Sequence, residues 1–281
     1  MLNSIMAVLP EIKSLHARSN ELYKFIDKIT LDAIQKSGLK SPADGSISLG
    51  QYGNILLPYY EMGAITTLDL FGLDELMIFS FYWTNRKMYK NSVDIGANLG
   101  LHSILMSRCG WNVTCYEPDP NHIKLLRRNL DLNKIKNIQV KEEAVSDSKG
   151  TLEFVRVLGN TTGSHIAGAK TKPYGDLERF PVTVEAIGEI MENADFIKLD
   201  AEGQEKIILL ATNSRQWDST DMILEVGSQE NAIEIFNHMT QIGVNLFSQK
   251  LNWEKVHNID GMPSSYKEGS LFLSKKAIMP W

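Results

Sequence analysis

The chain has 281 residues, a net charge of −5 and an apolar fraction of 43%. That suffices for one large α/β domain with an extension, and the acidic balance excludes a whole-chain electrostatic attraction to nucleic acid. No apolar run approaches the length a membrane span needs, and the start MLNSIMAVLP lacks the basic residues and cleavage site of a signal peptide, so the expected location is cytoplasmic with no membrane partner.

Between residues 10 and 36, Ile12, Leu15, Leu22, Phe25, Ile26 and Ile29 recur at three- and four-residue steps, which predicts one amphipathic helix. Its apolar face has either the core or a second subunit to pack on, so a homo-oligomer through this helix is one of two readings. Residues 38–70 are rich in Gly, Ser and Pro, with short alternating stretches at 47–49 and 54–57, which predicts a β-hairpin or flap. Thr67 to Trp83 read as a helix leading into the core. The chain therefore divides into an N-terminal helix and β-hairpin extension, 1–66, and a core domain, 67–281.

From residue 91 strands and helices alternate, which predicts a parallel sheet. Strands are expected to end at Val93–Ile95 and to cover Val113–Tyr116, Ile138–Glu142, Phe196–Leu199 and Met222–Val226. Asp119 and Pro120 supply an N-cap and first helical residue for a helix with Ile123, Leu126 and Leu130 inward. A helix is expected from Gly203 to Thr212 and another around Ala232–Met239; Val244–Ser248 and Ser270–Ser274 read as an antiparallel pair at one edge. Cys109 and Cys115 fall on core elements and read as reduced core residues, neither a disulfide nor a zinc site. Arg127, Arg128, Lys134 and Lys136 read as the solvated face and exit of a helix.

Residues 93–117, VDIGANLGLHSILMSRCGWNVTCYE, carry the strongest functional signal. Gly96 and Gly100 free the backbone where a strand turns sharply into a helix. Glu117 ends the next strand 21 residues after Gly96, the usual spacing for a ribose-binding acid. A dinucleotide site wants G-x-G-x-x-G, whose second glycine lets the backbone approach a pyrophosphate. Asn98 stands there instead. S-adenosylmethionine (SAM) has no pyrophosphate, and Asp94 is an acid placed near the turn for its ammonium and sulfonium charges. The pattern favours SAM.

The blocks DIGANLG (94–100), YEPDPNHIKLLRRNLDLN (116–133), AVSD with a following glycine (144–150), DFIKLDAEGQE (195–205) and ILEV (223–226) occur in this order. Together they resemble the FkbM family of SAM-dependent methyltransferases over residues 91–228. The resemblance implies a Rossmann-like α/β fold: a seven-stranded, mostly parallel sheet with helices on both faces. It implies SAM, with S-adenosylhomocysteine (SAH) as product, across the strand ends, and methyl transfer to a hydroxyl of a sugar, glycan or small natural product. By position, Asp94, Gly96, Asn98 and Gly100 would surround the methionine part. Glu117, with Pro118 beside it, would hold the ribose hydroxyls, and Glu143 and Ala144 would meet the adenine, Glu142 being the alternative to Glu143.

Transfer from a sulfonium is an in-line displacement, and a hydroxyl acceptor must also lose its proton. Lys198 and Asp200 alternate onto one face of a strand and both approach the crevice. Asp200 is a candidate to orient or deprotonate the acceptor, and Lys198 to stabilise alkoxide or neutralise Asp200. Glu202 and Glu205 open the next helix, where negative charge complements the dipole. His165, in the glycine-rich segment GNTTGSHIAGAK, is a candidate base on a lid loop; His102 reads as a packed residue near SAM. Glu75 is a candidate for the methionine ammonium. Asp200 and Glu225 end adjacent strands and would suit magnesium, but no second acid or amide follows Glu225, so no metal is assigned. Nitrogen methylation and SAM binding without catalysis are the alternatives; the Asn/Asp-Pro-Pro-aromatic turn of many amino-group methylases is replaced by Leu199-Asp200-Ala201-Glu202. The acceptor pocket is expected from 46–66, 158–180 and 249–268, where Tyr52, Tyr59, Tyr60, Trp253 and Tyr266 offer aromatic faces.

Overall fold

The computed structural model describes residues 1–160, 163–169 and 175–281. The single helix expected over 10–36 is a 3-10 segment followed, after a break, by one α-helix. Helix α1 (Leu2–Val8) runs into a 3-10 turn, and α2 (Glu21–Gln35) starts after Asn20, whose side chain accepts from the Leu22 N–H at 2.9 Å. Asn caps a helix better than it continues one, so the apolar periodicity spans a break. Leu2, Ile5, Met6, Leu9, Tyr23 and Ile34 join the chain's own core, while Phe25 stays 60% exposed. Strands β1 (Ser46–Ser48) and β2 (Asn54–Leu56) pair antiparallel as the expected hairpin. Helix α3 (Leu73–Thr84) begins later than expected, after a 3-10 turn and Gly72, and is buried nearly all round.

The core follows as β3 (Asn91–Ile95), α4 (Leu101–Arg108), β4 (Asn112–Tyr116), α5 (Pro120–Leu132) and β5 (Ile138–Lys141). Next come β6 (Ala144–Ser146), β7 (Gly150–Val157), β8 (His165–Ile166), β9 (Leu177–Ala186) and α6 (Ile187–Met191). The chain ends with β10 (Phe196–Leu199), α7 (Glu205–Leu210), β11 (Asp221–Glu225), α8 (Gln229–Gln241), β12 (Asn245–Ser248), β13 (Glu254–Lys255) and β14 (Ser270–Ser274).

The central sheet has the order β13-β12-β14-β11-β10-β3-β4-β5. Strands β5, β4, β3, β10 and β11 are parallel, and β14 runs antiparallel between β11 and β12. The sheet is mixed and has eight strands where seven were expected; the short edge strand Glu254–Lys255 carries too little alternation to read from sequence. The β12–β14 pair forms, but β14 lies inside the sheet. Adjacent β11 residues serve opposite cores: Ile223 joins α3 and α4 on one face, while Met222 and Leu224 join α7 and α8 on the other. That two-sided burial marks a sheet covered by helices on both faces.

A second sheet, ordered β6-β9-β7-β8, is built from strands on both sides of the loop expected over 158–180, with β8 and the start of β9 inside it. Strand β7 pairs antiparallel with β9 from Gly150↔Val184 to Val157↔Leu177, around a small core of Ala144, Phe154, Ile166, Val182 and Val184. Within 158–180, positions 161–162 and 170–174 lie outside the described residues.

Candidate active site

Strand β3 ends at Ile95, and the chain turns over Gly96 at φ +76°. A Cβ there would lie 1.7 Å from the Asp200 carbonyl oxygen, so the backbones ending β3 and β10 touch only because residue 96 has no side chain. Asn98 is left-handed at φ +49°, which Asn tolerates. Its N–H donates to Glu117 Oε2 at 2.8 Å, and the Asp119 N–H donates to Glu117 Oε1 at 2.9 Å. Each Glu117 oxygen is thus oriented by one backbone donor and keeps accepting capacity for a ligand.

Between these strand ends and the second sheet lies a cleft of about 660 Å³, counting its mouth, whose walls include Gly96, Asn98, Glu117, Pro118, Glu143 and Ala144. Glu142 pairs with Arg127 on the surface at 2.9 Å, which leaves Glu143 as the acid on the cleft. Asp94 is fully buried beneath the turn, accepting from Ser103 Oγ at 2.6 Å. Gly100, at φ +81°, starts α4 and packs against Leu126. Neither is part of the cleft wall.

Helix α5 begins as read from sequence: Asp119 Oδ1 accepts from the Asn121 N–H at 2.7 Å, with Pro120 following. Sequence reasoning missed the partner of that cap. Arg156, from β7, donates through Nε to Asp119 Oδ2 at 2.8 Å and through Nη2 to Oδ1 at 2.5 Å. Burial pushes the Asp119 carboxyl up, but the Arg156 and Asn121 bonds outweigh it and hold it below the usual carboxylate range. His122, also missed, lines the cleft. Its Nδ1 faces Glu117 Oε1 at 3.5 Å.

Lys198 and Asp200 share a face as expected, with Nζ 3.2 Å from Asp200 Oδ2; Nζ also lies 3.4 Å from the Gly96 carbonyl and 3.8 Å from Asp94. Burial pulls the ammonium down, but Asp200 and Asp94 outweigh it and keep it charged. Glu205 does more than complement a helix dipole. Its carboxylate accepts from the Ala201 N–H at 2.8 Å and the Gly203 N–H at 2.9 Å, stapling the turn after Asp200. Burial, then the Asp200 charge, push its pKa up to about 7.

A second cavity of about 270 Å³ lies beside the first, lined by Glu75, His102, Lys198, Asp200, Glu225 and Ser270 among others. Asp200 belongs to both linings. His102 sits 2.9 Å from the Tyr82 hydroxyl and 3.1 Å from Glu75 Oε2. Burial, Asp200 and Glu75 push Glu225 up to about 8. Among the described residues no group of three His, Cys, Asp or Glu side chains is placed to hold a metal ion.

His165 is not on an open loop. It lies in β8 at 2% exposure, Nδ1–H donating to the Gly163 carbonyl at 2.8 Å, on the wall of the cofactor-sized cleft. Tyr52 and Trp253 are packing anchors: their polar atoms donate to Phe79 O at 2.7 Å and His16 Nδ1 at 2.9 Å. Of the five loop aromatics, Tyr266 is the exposed one near the site, lying over Gly227, the second residue after Glu225.

Five parallel strands within the mixed sheet, a glycine turn touching its neighbouring strand and an anchored acid at the next strand end define a nucleoside-binding α/β protein. The model of the FkbM methyltransferase domain matches residues 94–255, more than half of the chain, and the chain belongs to that family of methyltransferases. Its cofactor is S-adenosyl-L-methionine. The chain is similar to methyltransferase sdnD of Sordaria araneosa at 28% identity over 45% of this chain, and it spans 61% of that relative's length. Among solved structures it is similar to a SAM-dependent methyltransferase from Agrobacterium tumefaciens, with 11% identity, a TM-score of 0.46 and coverage of 86% of this chain and 72% of that one. It is also similar to a precorrin-6y C5,15-methyltransferase from Geobacter metallireducens GS-15, with 12% identity, a TM-score of 0.39 and coverage of 71% and 86%.

The cleft fits this cofactor on its own chemistry. Its Asn98 Oδ1 is buried without a hydrogen-bond partner, and Glu117 has accepting capacity on both oxygens. No helix of the described residues is long and apolar enough to cross a membrane.

Proposed function

We propose that this protein is an O-methyltransferase acting on a hydroxyl of a sugar, glycan or small natural product in the cytoplasm. The observation that carries the reading is the place of Asp200, a half-exposed carboxylate shared by the cofactor-sized cleft and the second cavity. Bound in the cleft, SAM supplies an already activated methyl group. Glu117 and Pro118 would hold its ribose, Glu143 and Ala144 its adenine, Gly96 and Asn98 the chain beyond, and Glu75 its ammonium.

The chain's own contribution is positioning and proton management. Asp200, oriented by Lys198 at 3.2 Å, accepts the proton of a hydroxyl held between the two cavities. A neutral amine attacks without a base, whereas a hydroxyl is a weak nucleophile until its proton moves, so a carboxylate at this junction favours oxygen. Lys198 stays charged and offsets negative charge developing on the acceptor oxygen. Glu205 holds the turn that aims Asp200. His165 walls the cofactor side at 2% exposure, with Nδ1 held by the Gly163 carbonyl at 2.8 Å.

The test is calorimetric titration of the purified protein with SAM and SAH, beside Glu117→Ala, followed by a screen of glycosides and hydroxylated metabolites. Binding that is lost in the variant, and a product whose new methyl resonance lies on oxygen, are expected. Methyl transfer only to nitrogen would refute the O-directed reading, and intact binding by Glu117→Ala would refute the ribose assignment.

A further inference from the structure

The imidazole of His122 lies against the acid at the end of β4. The residue lies in the first turn of α5 at 7% exposure, with Nδ1 directed at Glu117. Its Nε2 is buried and has no hydrogen-bond partner, and the side chain is part of the cleft wall. Leaving such an atom unpaired costs a folded protein on the order of 1–3 kcal/mol, so buried polar atoms are rarely left so without a ligand to meet. Glu117 beside it has both oxygens aligned by backbone donors. His122 shares the cleft wall with Glu117, so a ligand fragment held by Glu117 lies beside the imidazole.

We propose that His122 is a positioning residue for the cofactor: its Nε2–H donates to the oxygen of one ribose hydroxyl, and that hydroxyl donates its own proton to Glu117. This rests on the assignment of Glu117 to the ribose. Two features support the donor role. An Nδ1–H facing Glu117 and a second donor on Nε2 are both present only in the imidazolium form. The groups facing the ring are Glu117, Asp119 and Arg156. Burial lowers the imidazole, but the bond and charge of Glu117 and the charge of Asp119 outweigh it, so it titrates above its ordinary value. The chain Nε2–H···O–H···carboxylate also discriminates: an analogue lacking that hydroxyl leaves both protein groups unsatisfied.

The experiment uses SAH, 2′-deoxy-SAH and 3′-deoxy-SAH in calorimetric titrations of the wild type, His122→Phe and His122→Gln, with thermal unfolding as the folding control. His122→Phe keeps a ring but no donor and is expected to bind SAH about tenfold more weakly, the size of one lost hydrogen bond to a ligand. His122→Gln keeps a donor and is expected to stay within a few-fold of the wild type. Against the deoxy analogue that lacks the bonded hydroxyl, wild type and His122→Phe are expected to bind equally. Equal SAH affinity in wild type and His122→Phe would overturn the proposal. So would the same tenfold loss for SAH and both analogues, which is the signature of packing alone. Glu117→Ala, measured in parallel, separates the two assignments: if it binds SAH like the wild type, the ribose assignment itself fails.

Discussion

The bond between Arg156 and Asp119 joins the second sheet to the start of α5, and breaking it tests how the cleft is held. Arg156→Met removes the guanidinium and leaves Asp119, fully buried, with only its backbone cap bond at 2.7 Å. Removing one partner of a buried pair costs about 3–5 kcal/mol, because the remaining charge is uncompensated. The cost has a defined pH dependence. In the wild type Asp119 is depressed below the usual carboxylate range, so its contribution is present above the unfolded value, roughly 3.9, and is lost only as pH falls through the lower folded value. Without Arg156, burial dominates and the Asp119 pKa rises, so the carboxyl takes up a proton and sheds its penalty as pH falls. The difference between wild type and variant should therefore be largest at pH 7–8 and shrink toward pH 4.5. Adding Asp119→Asn keeps an oxygen to cap α5 and removes the stranded charge, so the double variant should recover much of the loss. Urea unfolding of wild type, single and double variants at both pH values measures this. A cost below about 1 kcal/mol at pH 7, a cost that does not change with pH, or a double variant no better than Arg156→Met would refute the reasoning.

Gly96→Ala puts a Cβ 1.7 Å from the Asp200 carbonyl at φ +76°, so it should destabilise the fold by more than the roughly 1–2 kcal/mol of left-handed strain and abolish SAH binding; calorimetry showing wild-type affinity would contradict the contact. Glu205→Ala strips the turn after Asp200 of two hydrogen bonds and should cost on the order of 1–3 kcal/mol, with turnover falling more than SAH affinity; a silent substitution in denaturant unfolding would count against the staple. Glu225 titrates near 8 in the folded chain, above its unfolded value. The folded state therefore binds a proton that the unfolded state lacks, and stability falls as pH rises from about 5 through 8. Glu225→Gln carries no such proton and should gain on the wild type progressively over that window, with the two alike near pH 4.5; parallel melting curves at pH 5 and 9 would show Glu225 to be ionised in the folded chain.

The parts of this protein that could be read from the sequence are those whose partners lie within about 25 residues along the chain. The path from Val93 through Gly96 and α4 to Glu117 is one strand–turn–helix–strand unit, and the Asp119–Pro120 start of α5 needs only its own first turn. Lys198 and Asp200 meet because side chains two apart share a strand face. Long-range register decided the rest. The β7–β9 pairing depends on Gly150 meeting Val184, and much of β7 and β9 faces solvent, so neither strand shows the apolar pattern of the parallel core. Asp119 and Arg156 are 37 residues apart. The contact that reserves Gly96 for glycine belongs to Asp200, a residue more than a hundred positions away. The elevated Glu225, the junction at Asp200 and the unpartnered nitrogen of His122 likewise arise where separate strand ends converge. Local backbone chemistry thus determined which cofactor turn the chain makes, and tertiary packing determined which carboxylates and imidazoles face it, because burial and charge at a strand end are set by neighbours the chain reaches only after folding.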